Sequence, residues 1–179
     1  MQKLKDKHLL NIPYCSFEYT PTPLAYTIAM NKDHLTDALM EVDEIDHTSV
    51  PEDGKSAYAY PLMSLIYSEK FEYAKQLIGR GAPLNSQDFN GYTPLIHACR
   101  YPNVEGALDI IKLLIDAGAD QMVKPKYGKT AIMHVWDSGN ADIVEKANTF
   151  FSKEAFDQGK LLLSETTKRK LSHAGDDAE

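Results

Sequence analysis

The sequence predicts an all-α solenoid in which helix–turn–helix units stack side by side and a final helix covers the end of the stack. Three observations carry this expectation. Related short runs recur along the chain, TPL at 22–24, YPL at 60–62, TPL at 93–95 and TAI at 130–132, spaced by 38, 33 and 37 residues. Such a period is the signature of stacked supersecondary units. Each run opens an apolar stretch with helical spacing, followed by a second one. The 179 residues are 43% hydrophobic and 25% charged with two cysteines, a composition that fills one core without metal or disulfide.

The first unit, TPLAYTIAMNKDHLTDALMEVDEID at 22–46, reads as two helices with Asp43 where other units close on glycine. The second, YPLMSLIYSEKFEYAKQLIGRGAPLN at 60–85, closes on Gly81. The third, Asp88 to Asp120, is the clearest. Gly91 supplies the positive φ of a tight turn, the Thr93 hydroxyl caps the next helix, and Pro94 takes its first position, where a missing N–H costs nothing. After a bend around Tyr101 to Gly106, the stripe Leu108, Ile111, Leu114 and Ile115 marks a second helix that Gly118 ends.

The fourth unit, GKTAIMHVWDSGNADIVE at 128–145, has Thr130 as its cap, with Ala147 and Asn148 replacing the apolar pair of its second helix. Beyond it, a Ser152 cap and apolar Phe156, Leu162 and Leu163 predict a capping helix within 149–171, although Gly159 in its middle argues against a helix. Residues 172–179 read as a disordered, solvated tail. Two insertions interrupt the period, one near 47–55 and one at 102–106. Both are either tolerated decoration or added contact surface.

The D-x-x-G-x-T-P-L turn and the second-helix ending L-L-x-x-G-A-D make these units resemble the ankyrin repeat. The resemblance covers roughly residues 17–148 and implies about four repeats starting near 17, 55, 88 and 125, after an N-terminal segment at 1–16. It also implies a concave surface of turn tips and first-helix ends that contacts a partner protein. Transferred by position, that surface comprises Phe89, Asn90, Tyr92, Arg100 and Tyr101 in the third repeat. Tyr67 and Ser68 are equivalent in the second, and Lys126, Tyr127, Lys129, Asp137 and Ser138 in the fourth. Aromatic rings and arginine are favoured anchors, and the alternative is that some of these rings pack against neighbouring turns. Trp136, where the family has a small residue, is expected to fill the junction with the last helix.

Charge narrows the partner class. The formal net charge is -7, the wrong sign for phosphate neutralisation, so nucleic acid is not expected. Residues 33–53 hold eight acids and no Lys or Arg. Two readings stand: a solvated face, or an acidic patch at Glu41, Asp43, Glu44 and Asp46 that steers a basic partner. No apolar run approaches a membrane span and the start lacks a secretory core, so the expected address is cytoplasmic.

The fragments Gly54-Lys55-Ser56 and Gly128-Lys129-Thr130 fail as phosphate loops, because Ser49 and Val123 stand where the required glycine belongs. His97 and His134 occupy equivalent positions, but parallel side chains on packed helices converge poorly on one metal, so they read as packing residues. Cys15 and Cys99 read as reduced thiols, Cys99 as a small core residue. No catalytic residue, cofactor or metal is expected.

The resulting expectation is a non-enzymatic module, monomeric when free, that binds one partner protein. Its narrowest form is an intracellular inhibitor such as a bacterial immunity protein neutralising a toxin. The alternatives are a cytoplasmic adaptor or regulator and a secreted bacterial effector engaging host proteins.

Overall fold

The computed structural model describes residues 23–41 and 60–176, and the side chains of the last helix as far as Glu165. Among the described residues all regular structure is helical, as the sequence predicts. The helices are α1 Pro23–Ala29, α2 Asp33–Met40, α3 Pro61–Tyr67, α4 Phe71–Gly79, α5 Pro94–Cys99, α6 Ala107–Asp116, α7 Ala131–Trp136, α8 Ala141–Asn148 and α9 Lys153–Asp176. The first eight form consecutive pairs. The first helices pack in one row, α1 on α3 on α5 on α7, and α4, α6 and α8 form a second row behind it.

The predicted punctuation is largely what starts and stops these helices. Pro23, Pro61 and Pro94 each open a first helix. The Thr93 hydroxyl accepts the Ile96 amide at 3.3 Å, capping α5. Thr130 differs: it stands in extended conformation at the cap position of α7, yet its hydroxyl is buried and makes no capping bond. The extended backbone of the cap residue is therefore present without its side-chain bond. Behind the second helices the chain turns through Gly81 and Gly118, both at positive φ, and the amides of Ala82 and Ala119 bond back to Leu77 and Leu114 at 3.0 and 2.9 Å.

The core runs the length of the stack without a break, through Leu24, Ile28, Leu65, Leu77, Leu95, Ile110, Ile111, Leu114, Ile132 and Val135, each fully buried. Truncating any one of the leucines to alanine is expected to cost roughly 2–5 kcal/mol. Polar bonds tie neighbouring turns together: the Asp120 amide donates to Asn85 Oδ1 at 2.8 Å, and the Ser152 amide to Gln121 Oε1 at 2.7 Å. The first pair is tied to the second by Lys70 to Asp33, Tyr73 to Asp37, and Arg80 to the Met40 carbonyl.

The last helix covers α7. Ser152 caps it as expected, its Oγ accepting the Ala155 amide at 3.2 Å. Trp136 fills the junction, edge-on to Phe156 at 5.3 Å between centroids, with its Nε1 donating to Asn148 Oδ1 at 2.9 Å. Gly159, read from sequence as a weak point, is where the two helices come closest: a Cβ there would stand 2.9 Å from both Ile132 and Trp136. The helix also continues to Asp176 rather than ending at 171 with a disordered tail beyond. Once a helix is nucleated, each further residue adds a hydrogen bond, and KRKLSHA contains no breaker; the helix closes only after Gly175, a poor helix former.

Candidate functional site

The candidate surface is built on Asp88. Its Oδ1 accepts the amides of Asn90 at 2.8 Å and Tyr92 at 2.9 Å, and its Oδ2 lies 3.0 Å from Nε2 of His97. Burial pushes the carboxyl up, but the bonds from His97 and the two amides reverse this and hold it below the usual carboxylate range. A carboxylate only accepts, so Nε2 of His97 carries the proton between them. One side chain thus folds the turn 88–92 and locks it to the first helix. Gly91 completes the turn at φ +80, where a Cβ would press against the backbone of Pro125 at 3.2 Å. The Asn90 carbonyl accepts the Lys126 amide at 2.9 Å, which joins the turn tips of the third and fourth units.

This turn aims Tyr92 between the first helices. Tyr67, His97, Tyr92 and His134 form an edge-to-face ladder, with successive centroids 6.5, 5.6 and 6.0 Å apart. The ladder crosses three units. Tyr92 separates the two histidines, so they do not meet as a metal pair, and among the described residues no three His, Cys, Asp or Glu side chains are placed to hold a metal. Burial, followed by the positive charges of Lys129 and Arg100, lowers the His134 pKa to about 4. Cys99 is fully buried, which pushes its thiol well above the usual range.

Around the ladder the structure brings most of the sequence-predicted residues onto one surface. The Arg100 guanidinium lies over Tyr92 at 5.2 Å and Tyr101 at 5.4 Å. Lys129 pairs with Asp137 at 2.6 Å, again joining a turn tip to a first-helix end. Tyr67, Phe89, Tyr101 and Tyr127 are 47%, 54%, 52% and 72% exposed, and Lys126 is exposed beside them. Tyr92 and Asn90 are half-buried, Tyr92 packing on the core. Ser68 and Ser138 are half-buried at the ends of α3 and α7, and the Ser138 carbonyl accepts from Asn103 at 3.4 Å.

That bond belongs to the insertion at 102–106, which packs against both neighbours: Asn103 reaches the fourth unit, and a Cβ on Gly106 would meet the Phe71 ring of the second at 3.1 Å. Of the acidic stretch, Asp33 and Asp37 are engaged by Lys70 and Tyr73, and the Asp37 bond pushes the Tyr73 phenol up to about 12. Glu41 is exposed, and Asp43, Glu44 and Asp46 lie outside the described residues, as does the insertion near 47–55. The sequence noticed His97 and His134 as equivalent positions and named Tyr67 and Tyr92 as surface residues, but did not show that these rings interleave with the histidines or that Asp88 anchors the turn. The Asp88 side of that bond was visible as the first letter of the turn motif.

Among the described residues no helix is long and apolar enough to cross a membrane. The family model for ankyrin repeats, in three copies, matches residues 62–147. Over 58 residues the chain is 45% identical to the Ankyrin repeat and LEM domain-containing protein 1 homolog of Caenorhabditis elegans, covering 32% of this chain and 8% of that protein. Over 81 residues it is 37% identical to a Putative ankyrin repeat-containing protein of Treponema pallidum (strain Nichols), covering 44% of this chain and 26% of that one. The chain thus spans about a quarter or less of the curated relatives it matches. Four helix pairs thus stack on one continuous core, and residues 62–147 of that stack match three ankyrin repeats.

Proposed function

We propose that this chain is a protein-binding module that holds one partner across the surface formed by its turn tips and first-helix ends. Ankyrin repeats are in general interaction domains rather than enzymes. The observation that carries the reading is the four exposed rings, Tyr67 at the end of the ladder and Phe89, Tyr101 and Tyr127 beside it, over the buried His97 and the half-buried Tyr92 and His134. Exposed aromatics on a rigid floor bury large area at little entropic cost when a partner arrives.

The narrower role, an inhibitor such as an immunity protein that occludes a basic partner, is supported by the net charge of -7 and by the acids of residues 41–53. It demands a one-to-one complex in which the partner's own activity is lost. An adaptor holds two partners at once, and an effector meets its partner in another cell. The test of the surface is capture from source-cell lysate by the parent chain and by a Phe89→Ala, Tyr101→Ala, Tyr127→Ala variant of equal melting temperature. The expected result is a protein retained by the parent and lost by the variant. Equal retention by both would sink the reading.

A further inference from the structure

Charge on the proposed face is not uniform along the stack. In the third and fourth units the turn tips and first-helix ends carry Arg100, Lys124, Lys126 and Lys129, and the three lysines are exposed. Lys124 lies along its own turn, its Cε 3.9 Å from where a Cβ on Gly128 would stand. Against these four cations, Asp88 is buried against His97, Asp137 pairs with Lys129, Asp120 is exposed and accepts the Met122 amide at 2.8 Å, and Glu105 is exposed in the insertion. In the second unit the pattern differs, because Glu69 is exposed and Lys70 is turned onto Asp33. Among the described residues the excess of cations on this face is therefore local, on a chain that is acidic overall.

Resting on the reading of this face as a protein-binding surface, we propose that its third and fourth units take an extended acidic segment of the partner. Arg100, Lys126 and Lys129 meet the segment's carboxylates, and Phe89, Tyr101 and Tyr127 cover its apolar side chains.

Geometry favours this assignment over a mere count of charges. The Arg100 guanidinium lies within cation–π range of both Tyr92 and Tyr101, and its planar fork of donors suits a carboxylate. Lys126 is anchored at its amide to Asn90, and Lys129 is steadied by Asp137, so less rotamer entropy is lost on binding. Both partners of the Lys129–Asp137 pair are exposed, so an incoming carboxylate can share the ammonium. His134, on the floor below, experiences the field of Lys129 and Arg100, which after burial is what lowers its basicity. A polyphosphate chain is disfavoured because anything longer than the patch runs onto a body of net charge -7.

The test is selection from a displayed library of random 12-residue peptides on the whole chain, followed by fluorescence anisotropy of the selected peptides at two salt concentrations. The expected result is enrichment in Asp and Glu. Affinity should fall at least tenfold for a Lys124→Glu, Lys126→Glu, Lys129→Glu variant that melts like the parent. It should also fall for the Phe89, Tyr101, Tyr127 alanine variant. Selected peptides without acidic excess, or unaffected by charge reversal, overturn the inference while leaving the surface intact if the aromatic variant still loses them. Peptides that survive the aromatic variant overturn the surface itself. Tighter binding of a 12-nucleotide oligouridine than of the selected peptides overturns the acidic-peptide assignment in favour of RNA.

Discussion

Oδ2 of Asp88 lies 3.0 Å from Nε2 of His97, both side chains are buried, and the same carboxylate accepts two amides of the turn it begins. The turn tip and the first helix of the third repeat are thus one hydrogen-bonded unit. A contact of this kind positions the binding face and also contributes to stability, and the two roles separate by experiment.

Replacing Asp88 by Ala removes three bonds from a buried site and leaves the His97 donor and two turn amides unanswered. The expected loss is roughly 2–4 kcal/mol in urea denaturation. A loss below about 1 kcal/mol would mean that water replaces the carboxylate. Because the Asp88 carboxyl is held below its ordinary value, its contribution is present above pH 3.8 and is lost as pH falls through the lower folded value.

His134 makes the stack sensitive at milder pH. Its pKa is about 4 in the folded chain against 6.5 unfolded, so its contribution is complete above pH 6.5 and declines as pH falls toward 4. The ring is part-exposed, and solvent screening reduces the effect to on the order of 1–2 kcal/mol. Melting temperatures between pH 8 and pH 4.5 should fall less steeply for His134→Leu than for the parent. Identical slopes would remove His134 as the cause.

Gly159→Ala should loosen the capping helix even though alanine is the better helix former by about 1 kcal/mol. The added methyl meets Ile132 and Trp136 at 2.9 Å, an overpacking worth roughly 1–3 kcal/mol. Trp136 is the chain's single tryptophan, so its emission reports this joint directly. A red shift at low denaturant in the variant is the expected sign, and unchanged emission with raised stability would contradict the close approach.

Glu69 sits at φ +58 between α3 and α4, and Gly139 takes φ +72 at the corresponding place between α7 and α8. Left-handed backbone strains a residue with a Cβ, so Glu69→Gly should stabilise the chain by about 0.5–1 kcal/mol. Equal or lower stability in thermal melts would show that the glutamate side chain compensates for its backbone.

The repeat architecture was legible because its signals are local. Thr93, Pro94, Gly81 and Gly118 each act within a few residues of their position. The place of Gly159 was hidden for the opposite reason: as a helix residue it is poor, and only the nearness of Trp136, more than twenty positions earlier, gives it a purpose. The aromatic ladder lay in the same blind spot, since Tyr92 reaches His134 only after two units have stacked. Asp33 and Asp37 likewise looked like free charge until Lys70 and Tyr73 were brought to them. Thr130 is the converse case, a local signal present in sequence whose hydroxyl makes no bond.

The seam between the first two helix pairs has a character of its own. On its polar side it is stitched by Lys70 to Asp33, Tyr73 to Asp37 and Arg80 to the Met40 carbonyl, whereas the aromatic ladder runs from the second unit to the fourth. Salt screens charge over about 8 Å at physiological strength and leaves ring contacts nearly untouched. Ionic strength therefore acts on one seam and spares the others, to the extent of roughly a kcal/mol or less. The solvent thereby influences how firmly the first pair stays aligned with the rest, and so how long a face the stack offers as a single rigid body.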